Sequence, residues 1–317
     1  MPLRFTLRQL EYFVAVGEAG SIALAAGAIN VSSPSISAAI GQLEAGFGLQ
    51  LFIRRHAQGL SLTQAGRQML VQANEVLAGA DALTRLASDL TGTVQGPLAL
   101  GCLLTFAQII VPDLRRQFET RYPHVRVSQS EMHQQEIFDK LRGGQIDLAL
   151  TYDLEIAPDL HFVPLVELPP YAMMSQSHPL AHLAAVSVEQ LKSYPMVLLD
   201  LPYSSDYFLS FFHKAGITPQ VAERTRDIAV MRSLVANGFG YGIANLRPLN
   251  DLSPDGKPLC FVALLGPVRP MKMGLLMVEG AQNVLTVKAF IDHARALITD
   301  KAVPGMTMRK VAGPRDG

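Results

Sequence analysis

The sequence predicts a helix-rich N-terminal domain, a long helix, and a larger α/β domain of two lobes. Three observations lead there: apolar residues at helical spacing up to about residue 90, a glycine and proline break over 91–97, and alternating strand and helix signals beyond it. At 317 residues the chain is also too long for one ordinary domain.

Leu7, Leu10, Phe13, Val14 and Val16 mark one face of a first helix, which Gly20 ends. Ser21 suits the N-cap of a second, alanine-rich helix to about Ile29, and Asn30 tolerates a turn. A third helix runs from Ser33 to Ala45, with Pro34 in the first turn, where its missing N–H is harmless, and Ile36, Ile40 and Leu43 inward. Two short helices joined by a tight turn result. After Gly48, Leu51-Phe52-Ile53 and Leu60-Ser61-Leu62 read as two short strands around the basic turn Arg54-Arg55-His56, forming a wing. From Thr63 to about Leu90, Met69, Leu70, Ala73, Val76, Leu77, Ala80 and Leu83 lie near a seven-residue spacing. This is a linker helix that pairs two subunits, with packing on its own domain as the alternative.

Thr91 to Pro97 has hinge composition. Strand signals at Leu98 to Cys102, Val125 to Ser130 and Ile146 to Thr151 then alternate with helical ones at Phe106 to Arg121 and Gln134 to Leu141. Such alternation predicts a parallel sheet with crossover helices. A second set, Met196 to Leu199, Ser204 to Ala215, Arg226 to Asn237 and Tyr241 to Ala244, makes a second lobe. Met271 to Val278 and Val284 to Ile298 add a strand and a helix that return to the first lobe, making a two-strand hinge.

Hydrophobic residues are 49% of the chain, yet no run of 18 apolar residues suggests a membrane span. Met1 to Leu10 carries no mark of secretion, so the expected location is the cytoplasm. Cys102 and Cys260 lie in unrelated contexts, which argues for reduced thiols and against a cysteine zinc site. The zero net charge gives no electrostatic sign of nucleic acid. Up to Arg67, however, every cation is an arginine, whose planar fork suits phosphates and guanine edges.

Ser21, Ala25-Ala26, Ile29, Val31-Ser32, Pro34, Ile36-Ser37, Ile40, Leu43-Glu44, Gly48, Leu51-Phe52, Arg54, Leu62-Thr63 and Ala65-Gly66 fall at the spacing of a known family. This segment closely resembles the DNA-binding region of LysR-type transcription regulators, and the resemblance covers residues 5 to 300. It implies a winged helix-turn-helix, a dimerising linker helix and an effector domain resembling periplasmic binding proteins. The implied domains are 1–62, 63–90, 91–300 and a tail, 301–317. The implied partners are double-stranded DNA, a small-molecule effector, a second copy through the linker helix, a homotetramer, and RNA polymerase. No cofactor, metal or catalytic residue is implied.

Small Ala25 and Ala26 let the second helix approach the third closely. Ser32, Ser33, Pro34, Ser35 and Ser37 at the start of the third helix are the candidates for major-groove contact, with helix capping as the alternative for any one serine. Arg54 and Arg55 are candidates for phosphate neutralisation. Ser33 stands where members often carry glutamine, and Ala38-Ala39 where many carry arginine. Gly27, Gly41 and Gly46 each cost about 1 kcal/mol in a helix interior. DNA affinity per site should be modest, raised by avidity, and shallow in its salt dependence.

Ligands of open α/β sheets gather at the carboxyl ends of strands. That rule selects Leu103, Leu104 and Thr105, Thr151 and Tyr152, Pro202, Tyr203, Ser204 and Ser205, and Asn245 as effector-binding candidates. Thr105, Ser204 and Ser205 are equally suited to capping helices. Asp206 would compete with an anionic ligand, and Leu103, Leu104, Phe106, Tyr152, Tyr203 and Tyr207 supply an apolar wall, so the expected effector is a partly apolar small molecule.

Gly238-Phe239-Gly240-Tyr241-Gly242 follows a helix and precedes a strand, the reverse of a dinucleotide loop, and reads as a helix end. Pro179 between His178 and His182 spoils a zinc-binding helix. No serine, cysteine or carboxylate sits in a nucleophilic arrangement, which disfavours an enzyme. A solute-binding protein shares the lobes but has no use for residues 1 to 90.

Overall fold

The computed structural model describes residues 5–55 and 59–299, and the chain divides into two compact units at Thr91 and Gly92. The turn of the wing at 56–58 and the tail at 301–317 lie outside the described residues.

The first unit begins with α1 (Leu7–Ala19), whose N-cap Thr6 and Gln9 form a reciprocal capping box and whose C-cap Gly20 is left-handed. Ser21 caps α2 (Ile22–Ala28), and Asn30 takes a φ of 53° in the turn to α3 (Ser33–Phe47). The wing pairs β1 (Phe52–Arg55) with β2 (Gly59–Leu62), antiparallel, Phe52 opposite Leu62. The long α4 (Gln64–Thr91) follows. The core joins Leu10, Phe13, Val16, Ala25, Ala26, Ile36, Ile40, Leu43, Leu51, Phe52 and Ala73.

In the second unit the first lobe is a five-stranded sheet, ordered β4 (Val125–Glu131), β3 (Gly96–Cys102), β5 (Leu148–Tyr152), β13 (Met271–Val278) and β6 (Leu160–Leu168). Helices α5 (Leu104–Ile109), α6 (Val111–Arg121), α7 (Gln134–Arg142) and, at the chain's end, α11 (Leu285–Leu297) cover it. The expected single helix from Phe106 to Arg121 is two. Pro112 has no N–H to donate to the carbonyl four residues back and its ring clashes with that carbonyl, so the chain breaks at Ile110 and restarts with proline in the first turn.

The second lobe holds a four-stranded sheet, ordered β11 (Gly242–Ala244), β7 (Tyr171–Ser175), β12 (Leu259–Leu265) and β8 (Ala185–Ser187). The parallel pair β9 (Pro195–Leu199) and β10 (Gln220–Thr225) joins it through an isolated bridge from Met196 to Tyr241. Short α8 (Val188–Leu191), α9 (Ser204–Lys214) and α10 (Ile228–Ala236) pack on these strands.

The fold class is as expected, but the sheets are mixed where a parallel sheet was expected. β4, β3 and β5 are parallel, but β13 runs antiparallel to both β5 and β6, and β7 runs antiparallel to β11 and β12. The cause is the hinge. The chain leaves the first lobe along β6 through Pro169 and Pro170 and returns along β13 through residues 266–270, so two neighbouring strands run in opposite directions. Pro164 in β6 would spoil a regular ladder, and the register shifts there against Gly274. A Cβ on Gly274 would lie 2.4 Å from Val163 O, so this bulge requires glycine.

Candidate functional site

The start of α3 carries the first candidate site. Ser32 is its N-cap, accepting from Ser35 N at 3.4 Å, and the two hydroxyls meet at 2.7 Å. Those two serines therefore satisfy the helix end first. Ser32, Pro34, Ser35 and Ser37 are exposed and Ser33 is half-buried. The outward face continues through Ala38, Gly41, Gln42 and Ala45, all exposed. It is a smooth face of small side chains. Gln42 is its one long hydrogen-bonding side chain, absent from the sequence candidates, and its Oε1 accepts from Gln9 Nε2 at 3.0 Å. Helical spacing from Pro34 would have found it.

Three residues clamp α3, the wing and α4 together. Glu44 Oε1 accepts from Leu51 N at 2.7 Å and Phe52 N at 3.2 Å, tying the end of α3 to the start of the wing. Thr63 donates to Gln50 O and accepts from Gly66 N, both at 2.8 Å, which caps the first turn of α4. Gly66 passes so close to Leu51 that a Cβ would lie 2.1 Å from its carbonyl oxygen. Arg54 and Arg55 belong to β1, opposite Leu60 and Gly59, and their side chains lie outside the described residues. Along α4, Met69, Leu70, Ala73 and Leu77 pack on the first unit's core, whereas Val71, Val76, Leu83 and Leu86 are exposed.

The second candidate site is a cleft between the two lobes of the α/β unit. Seven sequence candidates line it: Leu103, Leu104, Thr105, Tyr152, Pro202, Ser204 and Asn245. Three do not. Thr151 is fully buried and its hydroxyl donates to Gln134 Oε1, orienting a side chain that does line the cleft. Ser205 turns its hydroxyl back to Leu201 O at 3.2 Å. Tyr203, at φ 65°, reaches across to the first lobe, donating to Gln135 Oε1 at 2.5 Å and packing on Phe138.

Sequence reasoning missed Met132, His133 and Gln134 after β4, Arg226 after β10, and Leu199, Leu201, Phe208, Ile228, Ala244, Leu246 and Met271. Gln134 is buried, its amide donating to Tyr152 O at 3.3 Å and Leu154 O at 3.2 Å. The expected wall is also redrawn. Phe106 lies in the core beneath Tyr152, ring centroids 4.7 Å apart, and Tyr207 is buried beside the hinge. Asp206 is exposed in the first turn of α9 and stands outside the lining. The basic groups facing the cleft are His133 and Arg226, and no carboxylate stands among its described lining residues.

Burial pushes the Tyr152 hydroxyl well above its ordinary range and that of Tyr207 up to about 12, so both stay protonated donors. The Cys102 thiol is likewise pushed up to about 12, by burial first and Glu131 second. Among the described residues no cluster of three metal-ligating side chains exists, and His178 packs on Tyr194 with ring centroids 4.6 Å apart. The glycine run ends α10: a Cβ on Gly240, at φ 141°, would lie 2.1 Å from Pro195 O.

Residues 7–67 match the family described as bacterial regulatory helix-turn-helix protein, lysR family, and residues 91–298 match the LysR substrate binding domain. HinK, a LysR family transcriptional regulator from Pseudomonas aeruginosa, is 34% identical, with 93% of this chain and 99% of that one covered at a TM-score of 0.63. The transcriptional regulator CysB of Haemophilus influenzae is 31% identical over 75% of this chain and 74% of its own. The fold is shared with full-length CbnR, crystallised with its target DNA: 24% identity, TM-score 0.67, covering 92% of this chain and 99% of that one.

Proposed function

The chain belongs to the LysR family of bacterial helix-turn-helix transcription regulators, and from that premise we propose how its two sites divide the work: the α3 face reads an operator and the cleft holds the molecule that tunes the reading. As a member, it is a DNA-binding regulator with an effector-binding domain, not an enzyme.

On the DNA side, Ser33, Pro34, Ser35 and Ser37 enter the major groove, Ser32 caps the helix and faces a phosphate, and Arg54 and Arg55 neutralise phosphates from the wing. The small residues of the α3 face support close approach with few specific contacts. Dimers form through α4, where Val76, Leu83 and Leu86 are exposed at helical spacing, and two dimers make a tetramer that supplies avidity. RNA polymerase is the partner through which the bound assembly acts. We place the protein in the cytoplasm with its DNA; among the described residues no single helix is long and apolar enough to cross a membrane.

The observation that carries the effector reading is the cleft lining: an apolar majority with Thr105, His133, Gln134, Ser204, Arg226 and Asn245 converging on it. The effector is a partly apolar small molecule, and Arg226 accommodates one negative charge. Thermal-shift screening should find stabilisation by such molecules. Stabilisation by short polyanions alone would overturn the reading. For the DNA side, Ala38→Glu puts a charge on the exposed α3 face and should weaken operator binding by about tenfold or more without unfolding the protein. Unchanged operator affinity would remove that face from the interface.

A further inference from the structure

Asn245 follows β11 at the floor of the cleft, and its amide is tied to both strands of the hinge. Nδ2 donates to Leu168 O at 2.7 Å and to Tyr207 Oη at 3.0 Å. The orientation is determined by these partners. Leu168 O can only accept, so the nitrogen faces it, and Tyr207 gives its own proton to Arg269 O at 2.5 Å, leaving its oxygen to accept from Asn245. Both amide hydrogens are thereby committed.

Oδ1 remains. Asn245 is only 6% exposed, its Oδ1 is itself closed off from solvent, and among the described residues this oxygen accepts no hydrogen bond. A buried amide oxygen without a donor is unfavourable, and a molecule bringing an N–H or O–H into the cleft relieves it.

The two committed hydrogens lead to the two crossings between lobes. Leu168 is the last residue of β6, and Arg269 lies in the return to β13. Arg269 extends the path, its guanidinium 2.7 Å from Asp153 Oδ2 at the end of β5 and 5.7 Å from the Tyr207 ring centroid. Asp153 also accepts from Lys272 N at 2.8 Å. One side chain thus touches the cleft, the first crossing directly, and the second through Tyr207.

We propose that Asn245 is the donor-reading residue of this cleft: its Oδ1 accepts a hydrogen bond from an O–H or N–H of a partly apolar effector, and its amide hydrogens pass that event to both hinge strands. The inference rests on the reading of the cleft as the effector site. It assigns the effector to molecules carrying a donor, with hydrocarbons and molecules with acceptors only binding the same cleft more weakly.

The test uses the full chain with ¹³C-methyl methionine, since Met132 and Met271 are residues of the cleft lining and report its occupancy. Phenol is compared with fluorobenzene, and benzyl alcohol with ethylbenzene, at millimolar concentration. The member with the hydroxyl should bind about tenfold more tightly, and Asn245→Leu should abolish the difference while the apolar members still bind. Equal binding within each pair in the wild-type protein, or a preference that survives in Asn245→Leu, overturns the donor assignment and leaves the cleft reading standing. No methyl shift with any probe overturns both. Hydrogen exchange separates coupling from structure. Phenol should slow exchange around 168–171 and 266–272 in the wild-type protein, and in Tyr207→Phe only the first segment should respond. A full response of the second segment in Tyr207→Phe overturns the coupling.

Discussion

In the DNA-reading unit the residues that shape the site lie between Ser32 and Gly66, each acting on a neighbour a turn or a loop away; in the α/β unit the cleft is assembled from segments between Leu103 and Met271. The first is a site built by local geometry, the second by topology. The difference governs where each is fragile. A local site fails when one close approach is blocked, whereas a cleft built from seven strand ends fails gradually.

The strongest way to break this comparison is Gly66→Ala. Its Cβ would fall 2.1 Å from a backbone carbonyl, so Leu51 or the first turn of α4 must move. We expect a loss of about 3 kcal/mol or more from the first unit and of operator binding with it. Occupancy of the cleft, followed at Met271, should be unchanged. Retained operator binding at wild-type stability would show that the approach is dispensable.

A smaller effect is expected from Thr151→Val in the α/β unit. The shape is kept, but Gln134 loses the donor to its Oε1, a cost of about 1–2 kcal/mol. Cleft binding should weaken only a fewfold, because Gln134 keeps its two backbone acceptors. Denaturant titration and methyl-detected binding check the two halves separately; complete loss of binding would make the cleft as brittle as the head.

These expectations also show which parts were legible in the sequence. The helix-turn-helix could be read because Gly20, Ser21, Pro34 and Gly48 signal helix ends by their own chemistry. β6 could not, since Pro164 interrupts its pattern and only Gly274, more than a hundred residues later, makes the bulge possible. β10 is a largely exposed edge strand with little apolar alternation, so Arg226 beyond it went unnoticed. Met132, His133 and Gln134 were within reach: they follow the carboxyl end of β4, and the strand-end rule applied there would have found them. Tyr203, Thr151 and Ser205 stand outside the cleft lining because the rule selects loops without telling which way a side chain turns.

Acid sharpens the contrast between the units further. His293, buried with Nε2 3.1 Å from Leu114 O, and His178 both have pKa values lowered by burial. In each the folded pKa lies below the unfolded one, so above the unfolded value both states are neutral and nothing changes. As pH falls through and below about 6.5, the unfolded chain takes up the proton first and stability declines. Both histidines belong to the α/β unit, which should lose stability between pH 7 and pH 5, and His293→Asn should flatten that decline. Hydrogen exchange read separately over 5–55 and 92–299 distinguishes the units; an equal acid response in His293→Asn and wild-type protein removes His293 as its source.

The smallest effect is expected at Tyr241, and it concerns how tightly the second lobe's core is specified. Its side chain is fully buried, its hydroxyl has no hydrogen-bond partner among the described residues, and burial pushes the phenol well above its ordinary range. Its backbone, by contrast, is fully used: Tyr241 N donates to Pro195 O at 3.0 Å and Val197 N donates to Tyr241 O at 2.8 Å, joining β9 to the sheet. The ring and backbone therefore carry the role, and the hydroxyl adds a desolvation cost without a return bond. Tyr241→Phe should leave stability unchanged or raise it by up to about 1 kcal/mol, with cleft binding intact. A loss of more than about 1 kcal/mol in denaturant titration would mean that the hydroxyl has a partner in solution, and that this part of the core is as exacting as the contact between Gly66 and Leu51.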